Sequence, residues 1–366
     1  MTTPFAPETT RAWVDVDLAA LAENARTVAA ISGRGLLPMV KANGYGLGAI
    51  EVARALQPLD PWGFGIATVE EGQALRAGGI GRPLLVVTPL LAADAGRYLA
   101  HDLRPSIGDP AALAVWTARS DRPFHVEVDT GMSRGGVRWD DVHALEAMRG
   151  ALGAAVGWEG VYTHFHSAET DLPSVQVQWE RFQGVLATLP RRPALVHAAN
   201  SAAALRGAAY AADLVRPGIF LYGGRAGSVA PRPVAALRTR VVAVRTVGKG
   251  ETVSYGATWR APSPTTIATL GLGYADGFLR AAHDGRSASD GPARLVELAG
   301  RTVPVVGRVT MDLTMVAVEG TVAVGDVATV YGGSVSLDQQ AAASGTISYE
   351  LLTALGQRVP RRYGAA

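Results

Sequence analysis

Between residue 36 and about residue 217, the chain repeats one pattern of apolar and polar positions. Each repeat has a short apolar run rich in β-branched residues, then a loop, then apolar residues at helical spacing. The predicted strands are Leu36–Lys41, Gly63–Ala67, Leu84–Thr88, Leu103–Ile107, Phe124–Val128, Gly160–Thr163, Ala194–Ala198 and Asp213–Arg216. The predicted helices between them include Ala49–Leu56, Val69–Ala77, Ala111–Ala118, Val142–Ala147 and Val175–Leu189. Alternating strands and helices form parallel sheets, and eight repeats close most simply on themselves, so the pattern predicts an α/β fold, a (β/α)₈ barrel.

The pattern differs on both sides of this repeat. Before it, a predicted strand at Ala12–Val16 leads to Asp17, which would cap a helix over Leu18–Ile31. After about residue 232, short Val, Thr and Ala runs punctuated by glycine replace the helical spacing and predict a mostly antiparallel β domain. The strands predicted there are Leu237–Val247, Thr266–Leu272, Ala293–Leu298, Thr302–Val306, Thr314–Val318 and Val327–Tyr331.

The segment Gly223–Pro233, rich in Gly, Ala and Pro, marks the boundary between the two regions. We therefore predict a barrel over residues 12–230 and a β domain over residues 231–366, with residues 1–11 packed against the β domain.

Composition narrows the class of protein. Of 366 residues, 48% are hydrophobic and 18% charged, which is enough to bury a large core and excludes a disordered chain. No apolar run reaches the ~18 residues of a membrane span, and the first residues lack the pattern of a secretory signal. The net charge of +2 is spread without a basic stripe, which disfavours nucleic-acid binding. Cysteine is absent, so a disulfide scaffold and a cysteine nucleophile are excluded. We expect a cytoplasmic protein with no membrane partner and no metal.

One feature of the composition points to chemistry. The chain has 34 lysines and arginines together, but only Lys41 and Lys249 are lysines. A bias that replaces lysine by arginine wherever a plain cation is sufficient would spare a lysine whose amine is needed. Lys41 ends the first predicted barrel strand, whereas Lys249 lies in a Gly-Lys-Gly turn typical of a solvated surface residue.

Polar side chains cluster where the predicted barrel strands end, which is where barrels of this kind carry their sites. Lys41 follows strand one, the segments Glu127–Arg134 and Thr163–His166 follow strands five and six, and strands seven and eight lead into His197–Ser201 and Arg216–Ile219.

The last two loops form the usual phosphate site of such barrels. They offer Asn200, the Ser201 hydroxyl and the backbone amides of Gly218 and Ile219, all suited to an anion. A phosphate pocket next to a lysine that can form a Schiff base is what pyridoxal 5′-phosphate (PLP) requires. Each element alone is more often structural, as a charge at a strand end or a helix cap, but together they favour a PLP site.

Nine segments, in sequence order, resemble alanine racemase. They are VKANGYGLGA, VDTGMSRGGV, THF, HAANSAA, VRPGIFLYG, SYGATW, GYADG, GRVTMD and ISYELLTALGQRVPRRY. The resemblance extends from about residue 11 to residue 363 and covers both predicted domains. It implies a PLP-dependent isomerase that interconverts L-alanine and D-alanine for the bacterial cell wall. It also implies a head-to-tail homodimer whose active sites each draw on both chains.

The resemblance assigns roles to particular residues. It implies that Lys41 bonds to PLP and acts as one base, and that Tyr255 from the partner chain is the other. His164 and Arg216 would assist Tyr255, and Arg216 would also face the pyridine nitrogen, which it cannot protonate because a guanidinium does not give up a proton. The residues expected to bind the cofactor are Lys41, Tyr45, His164, Asn200, Ser201, Arg216, Gly218, Ile219 and Tyr349. Those expected to contact the substrate are Arg134, the backbone N–H of the partner's Met311, and Tyr274.

The position two before Asp129 departs from the family. Many members have a lysine there that becomes carbamylated and orients the arginine matching Arg134, whereas this chain has Glu127. We expect the Glu127 carboxylate to accept a hydrogen bond from Arg134 and to do the same electrostatic work. The alternative is an exposed Glu127 that faces solvent or pairs with Arg138.

Three other functions are compatible with parts of the sequence. A PLP-dependent amino-acid decarboxylase shares the barrel, but those enzymes commonly use a Cys-Asp-Gly motif and this chain has no cysteine. A PLP-binding protein without catalysis would not need the second domain. A racemase of broader substrate range fits the same residues.

Overall fold

The computed structural model describes residues 10–280 and 292–364. Nineteen strands lie in these ranges: β1 Ala12–Asp17, β2 Gly35–Leu36, β3 Phe64–Ile66, β4 Leu84–Pro89, β5 Leu103–Ile107, β6 Phe124–Asp129, β7 Val137–Arg138, β8 Trp158–Tyr162, β9 Leu195–His197, β10 Leu214–Val215, β11 Ala235–Val247, β12 Thr252–Val253, β13 Trp259–Arg260, β14 Thr265–Leu270, β15 Leu295–Leu298, β16 Arg301–Pro304, β17 Thr314–Val318, β18 Val327–Tyr331 and β19 Arg361–Gly364. The α-helices in the same ranges are α1 Leu18–Ser32, α2 Ala49–Leu56, α3 Val69–Ala77, α4 Ala95–Ala100, α5 Pro110–Thr117, α6 Val142–Ala154, α7 Leu172–Thr188, α8 Ser201–Ala204, α9 Leu337–Ala343 and α10 Ser348–Thr353.

Eight parallel strands form the predicted barrel, in the order β2-β10-β9-β8-β6-β5-β4-β3, and the short strand β7 adds to β6. A parallel bridge between Met39 and Gly65 joins the first strand to the second and closes the ring. The fold-class prediction is confirmed. Strand β2 is shorter than the predicted Leu36–Lys41, because Pro38 has no N–H to donate and because Lys41 already lies in the turn that leaves the barrel.

The barrel helices begin where short polar side chains cap them. The carboxylate of Asp17 accepts the N–H of Ala20 at 2.8 Å and starts α1, and Thr68 accepts the N–H of Glu71 at 3.2 Å at the start of α3. Helix α1 ends at Gly33, whose φ of 62° is the left-handed conformation that stops a helix. The Thr68 cap fixes where the loop after β3, on the barrel's mouth, ends.

The second sheet is mostly antiparallel, as predicted, and has the order β16-β15-β18-β11-β1-β19, with β14 joining β11 to β17. Strand β1 lies inside this sheet. It pairs antiparallel with β11 and parallel with β19, with Ala12 opposite Thr239 and Val14 opposite Arg361. The predicted start of the barrel at residue 12 therefore differs from the structure. A six-residue buried strand has no sequence signal for its partners, which are set by tertiary packing.

Of the predicted N-terminal segment, residues 1–9 lie outside the described residues. Arg11 contacts the β domain: its guanidinium donates to the carbonyl of Gly271 at 2.9 Å and to the carboxylate of Asp276 at 2.8 Å. One continuous hydrophobic core runs from the barrel into the β domain, and Val14 and Leu237 are among its fully buried members. None of the helices in the two described ranges is long and apolar enough to cross a membrane.

Candidate active site

A cavity of about 330 Å³ opens at the carboxyl end of the barrel strands. It is lined by Met39, Lys41, Ala42, Tyr45, Val87, Glu127, Arg134, Tyr162, His164, Asn200, Ser201, Arg216, Gly218, Ile219, Tyr349 and Thr353. Ten of the predicted site residues are among them, drawn from loops after strands one, five, six, seven and eight and from helix α10. Sequence positions more than 300 residues apart are thus brought into one cavity.

Lys41 opens a turn of unusual backbone conformation. Ala42, Asn43, Gly44 and Tyr45 have φ angles of 52°, 54°, 61° and 52°, so four successive residues are left-handed and only one of them is glycine. Such residues persist only where their surroundings hold them, and they concentrate at functional sites. The turn ends at Gly46, where a side chain would collide with the carbonyl oxygen of Leu352 at 2.2 Å. It holds the Lys41 amine in the cavity and packs Tyr45 beneath it.

The Lys41 amine is surrounded mainly by groups that disfavour its charged form. Burial lowers the pKa of Lys41 below its ordinary value, the nearby cations Arg134 and Arg216 lower it further, and Glu71 acts in the opposite direction. A lysine with a lowered pKa presents more neutral amine near neutral pH, which is the form that attacks a carbonyl.

Neutral hydrogen-bond donors line the other end of the cavity. Ser201 Oγ accepts the N–H of Gly218 at 2.8 Å, which leaves the Ser201 hydroxyl proton free to donate. Asn200 caps the short helix that follows by accepting the N–H of Ala203 at 3.0 Å. The Tyr45 hydroxyl lies so close to Gly218 that a side chain there would meet it at 2.3 Å. Because the Gly218 N–H donates to Ser201 Oγ, it orients the Ser201 hydroxyl and does not itself point into the cavity as a donor for an anion.

Aromatic rings fix the Tyr45 phenol. It stacks on Tyr222 with centroids 4.4 Å apart, and Tyr222 donates to the carbonyl of Met39 at 2.8 Å. Tyr349 packs beside it at 6.0 Å and donates to Glu169 at 3.3 Å. Burial raises the pKa of Tyr45 and of Tyr349, so both phenols keep their protons, and Tyr45 can donate its proton to an anion.

Arg216 lies at the floor of the cavity. It donates to His197 Nδ1 at 2.7 Å, to the carbonyl of Thr163 at 2.6 Å and to Ala198 at 3.0 Å, and its guanidinium lies over the Tyr162 ring. Burial lowers the pKa of Arg216 to about 10, so it stays a cation near neutral pH. His164 Nδ1 is 3.3 Å from the same guanidinium. Burial and then Arg216 hold the pKa of His164 well below its ordinary value, so its ring is neutral.

A chain of hydrogen bonds continues from Arg216 through the barrel interior, and we call Arg216, His197, His125, Glu159 and Arg104 the polar chain. Arginine only donates, so His197 Nδ1 must accept and its Nε2–H must donate to His125 Nδ1 at 2.8 Å. His125 Nε2–H then donates to Glu159 at 3.2 Å, and Arg104 Nε donates to the same oxygen at 2.7 Å. Burial lowers the pKa of both histidines. The polar chain thus fixes the tautomer of each ring and the orientation of Arg216.

Arg134 lines the cavity from the loop after β6. The Asp129 carboxylate shapes this loop by accepting the N–H groups of Gly131 at 2.9 Å and Ser133 at 3.0 Å. Glu127 is buried, with 6% of its surface exposed. Burial raises the pKa of Glu127, while the charges of Arg134 and Arg216 oppose that rise.

The exposed alternative for Glu127 is thus wrong. The expected Glu127–Arg134 hydrogen bond is not among the contacts of the described residues either. Their interaction is electrostatic, because a glutamate is several atoms shorter than a carbamylated lysine.

Three predicted residues lie outside the cavity, on the β domain. Tyr255 is 70% exposed, Met311 53% and Tyr274 41%. The loops that carry them touch: Tyr274 N–H donates to the carbonyl of Thr310 at 3.0 Å, and Ser254 Oγ donates to that of Arg308 at 2.6 Å. Together they form one exposed surface with large apolar side chains, which we call the β-domain face.

Sequence reasoning missed several groups at the site. Glu71 accepts the N–H of Ala42 next to Lys41, and Tyr162 forms part of the cavity floor. His125, which belongs to the polar chain, is a third such group. A usable signal existed for His125: in β6, polar residues alternate at His125, Glu127 and Asp129, the spacing of side chains that share one face of a strand.

An eight-stranded barrel with a lysine after its first strand and a cradle of anion donors after its seventh and eighth defines a PLP enzyme of the barrel type. Comparison with known families narrows this class. Residues 16–226 match the family described as alanine racemase, N-terminal domain, and residues 234–363 match alanine racemase, C-terminal domain. The chain belongs to the alanine racemase family.

Individual relatives agree with this assignment. The chain is 41% identical to an alanine racemase from Deinococcus radiodurans over 97% of this chain and 99% of that protein. The biosynthetic alanine racemase of Pseudomonas aeruginosa superposes with a TM-score of 0.88 at 33% identity, covering 97% of this chain and all of the other. Alanine racemase from Bartonella henselae, solved with covalently bound pyridoxal phosphate, gives 0.88 at 27% identity over 97% of this chain and all of that one. The protein is an isomerase that uses PLP to interconvert L-alanine and D-alanine.

Proposed function

We propose that this chain racemises alanine by a two-base mechanism in sites shared between two copies of the chain. The proposal rests on the positions of the two expected bases. Lys41 shares one cavity with the anion donors, whereas Tyr255 lies on the exposed β-domain face. Racemisation removes the Cα proton from one face and returns a proton to the other, so it needs two groups on opposite sides. A second copy that docks its β-domain face over the cavity would supply the second group.

The cavity residues suit PLP. Glycine at position 218 leaves room for the Tyr45 hydroxyl at the cavity wall, and the Ser201 hydroxyl proton beside it is free to donate to an anion. The residues that would hold the cofactor are Lys41, Tyr45, His164, Asn200, Ser201, Arg216, Gly218, Ile219 and Tyr349. When bound, PLP supplies an aldehyde that bonds to amines and a conjugated ring that takes up the electron pair left when the Cα proton departs.

Each remaining residue then has a defined task. The Lys41 amine takes the Cα proton of D-alanine, and the Tyr255 phenolate of the second copy takes that of L-alanine. A free tyrosine has a pKa of about 10, so Tyr255 needs cations or hydrogen-bond donors close by to act as a base. His164 and Arg216 supply these at the cavity floor. Arg134 and the Met311 backbone N–H of the second copy hold the substrate carboxylate, and Tyr274 narrows the entrance.

Arg216 would also limit side reactions at the bound cofactor. It is a cation with no acceptor, and the polar chain holds it in place, so it cannot hand a proton to a ring nitrogen that faces it. A ring left unprotonated withdraws electrons less strongly, and side reactions such as transamination are then limited. We place this reaction in the cytoplasm, where it would supply D-alanine for peptidoglycan.

The experiment that tests the activity is incubation of the purified protein with L-alanine and PLP, followed by chiral chromatography. We expect D-alanine to accumulate until the enantiomers are equal. A panel of other L-amino acids tests whether Tyr274 and Tyr349 restrict the substrate to alanine or whether the range is broader. Release of carbon dioxide and an amine from basic amino acids would instead support a decarboxylase and contradict the proposal.

Replacement of Glu127 by glutamine is expected to lower kcat/KM for alanine by about tenfold, chiefly through KM. The variant keeps the shape but removes the buried negative charge that acts on Arg134, and one charge interaction of about 1.4 kcal/mol corresponds to a factor of ten. Steady-state kinetics measure the effect. Depletion of bicarbonate should leave the native rate unchanged, since glutamate is encoded and needs no carbon dioxide.

A surface variant controls for the loss of one carboxylate. Asp140 pairs with Arg138 in the open, at 2.8 Å, and Asp140→Asn should behave as the native protein. If Glu127→Gln and Asp140→Asn gave the same kinetics, Glu127 would have no part in orienting Arg134.

A further inference from the structure

Glu71 connects the backbone next to Lys41 to the neighbouring barrel strand. One carboxylate oxygen accepts the N–H of Ala42 at 2.6 Å, and the other accepts the N–H of Ala67 at 2.7 Å. Ala42 directly follows Lys41, and Ala67 directly follows strand β3. A carboxylate that takes two backbone N–H groups makes charge-assisted hydrogen bonds, which are stronger than neutral ones.

The position of this contact is significant because Ala42 begins the left-handed turn. Ala42, Asn43 and Tyr45 have positive φ without being glycine, so the turn is strained and needs external support. The hydrogen bond from Ala42 to Glu71 lies at the first residue of the turn. It therefore fixes the backbone from which the Lys41 side chain extends. Glu71 itself is fixed, because its own N–H donates to Thr68 at the start of α3.

Charge forms the second part of the argument. The arginines that face the Lys41 amine, Arg134 and Arg216, destabilise its protonated form, and Glu71 is the carboxylate whose charge offsets them. The other titratable groups that line the same cavity are Tyr45, Glu127, Tyr162, His164 and Tyr349. Of these, His164 is neutral, the phenols keep their protons, and burial raises the pKa of Glu127.

We propose that Glu71 is a positioning residue for Lys41, which clamps the strained turn behind the lysine and keeps a negative charge beside its nitrogen. This inference rests on the proposed bond between Lys41 and PLP. Glu71 is not among the residues that line the cavity, so it would act on the reaction through Lys41. Its charge would stabilise the protonated form of the Lys41 nitrogen, and its clamp would set the reach of that nitrogen into the cavity.

The Lys41 nitrogen can be observed directly by NMR, because Lys41 and Lys249 are the only lysines of the sequence. Full-length holoenzyme labelled with ¹⁵N in the lysine side chains gives two Nζ signals, with Lys249 as the internal reference. We expect Glu71→Gln to shift the pH midpoint of the Lys41 Nζ signal downward by about 1 unit, the size typical of losing one nearby opposite charge. The absorbance of bound PLP, followed over the same pH range, should show the same shift.

Two further variants separate the effect of the Glu71 charge from the effect of its hydrogen bonds to the backbone. Glu70→Gln is the matched control: Glu70 is the neighbouring residue, and its carboxylate pairs with Arg97 on the surface. It should leave the midpoint and the activity unchanged. Glu71→Asp keeps the charge but shortens the reach, so we expect a midpoint close to native and a faster loss of PLP to hydroxylamine.

The outcomes distinguish this inference from the function on which it rests. If Glu71→Gln and Glu70→Gln gave the same Lys41 midpoint, the inference would be overturned even with PLP bound normally to Lys41. A native protein whose Lys41 signal did not change on addition of PLP would contradict the proposed role of Lys41 itself. Should Glu71→Gln fail to fold, the Glu71→Asp variant decides the matter, since native rates of PLP loss there would exclude the clamp.

Discussion

Lys41→Arg is expected to reduce racemisation by at least about 10³-fold, because it removes both the amine that bonds to PLP and one of the two bases. Arginine keeps the positive charge and much of the length, but its guanidinium stays protonated and is not a nucleophile near neutral pH. Chiral chromatography measures the rate. Borohydride reduction of the native holoenzyme and peptide mapping should place the cofactor on the peptide that contains Lys41.

Lys249→Arg is the matched control for this variant. Lys249 lies in an exposed turn of the β domain, outside the cavity, and its replacement should leave both the rate and the adduct unchanged. An adduct on Lys249, or a Lys41→Arg protein that still racemises alanine at the native rate, would overturn the assignment of the cofactor.

Tyr255→Phe is expected to reduce racemisation by at least about 10²-fold, the usual minimum contribution of a general acid or base, while PLP stays bound. When exchange of the Cα proton is followed in D₂O, the variant should affect the two enantiomers of alanine differently. Lys41 remains, so D-alanine should still exchange its Cα proton for deuterium without inverting. L-alanine should exchange far more slowly. Mass spectrometry of each recovered enantiomer distinguishes the two, and equal exchange from both would contradict the two-base assignment.

The same two variants test whether the site is shared between copies. Tyr255→Phe chains keep Lys41, and Lys41→Arg chains keep Tyr255. If the two are mixed, dissociated and reassociated, half of the dimers are mixed and one of their two sites regains both native residues. We expect recovery of about one quarter of the native activity per chain, from two proteins that are each nearly inactive. No recovery from a mixture shown to contain mixed dimers would mean that each site lies within one chain.

The barrel could be predicted from the sequence because its strands are buried on both sides and therefore appear as continuous apolar runs. The clustering of Lys41, Arg134, His164, Ser201 and Arg216 could also be predicted, since the carboxyl ends of barrel strands meet at one mouth. Both inferences depend on local patterns that recur at regular spacing. The residues expected from a partner chain followed from family resemblance alone, because no local pattern in the sequence encodes a contact with another chain.

Other parts of the site depend on contacts that no local pattern encodes. The spacing T-x-x-E at Thr68–Glu71 marks a helix start, but the Glu71 side chain instead reaches back to Ala42 and Ala67. The sequence does not signal that the turn after Lys41 is left-handed, because alanine and tyrosine, the residue types at Ala42 and Tyr45, rarely adopt positive φ. The polar chain joins His125 to His197, 72 positions apart, through a bond that forms only once the barrel has closed.

The placement of β1 decides when the molecule can be completed during synthesis. The first described strand of the chain lies between β11 and β19, which both follow the barrel strands in the sequence and are therefore synthesised after them. Strand β1 therefore has open edges until β11 and β19 have been synthesised, and such edges attract strands from other chains. Cutting the gene at the apparent domain boundary would separate β1 from both neighbours. The two halves of this protein consequently depend on each other to fold, because strand β1 of the first half completes the sheet of the second.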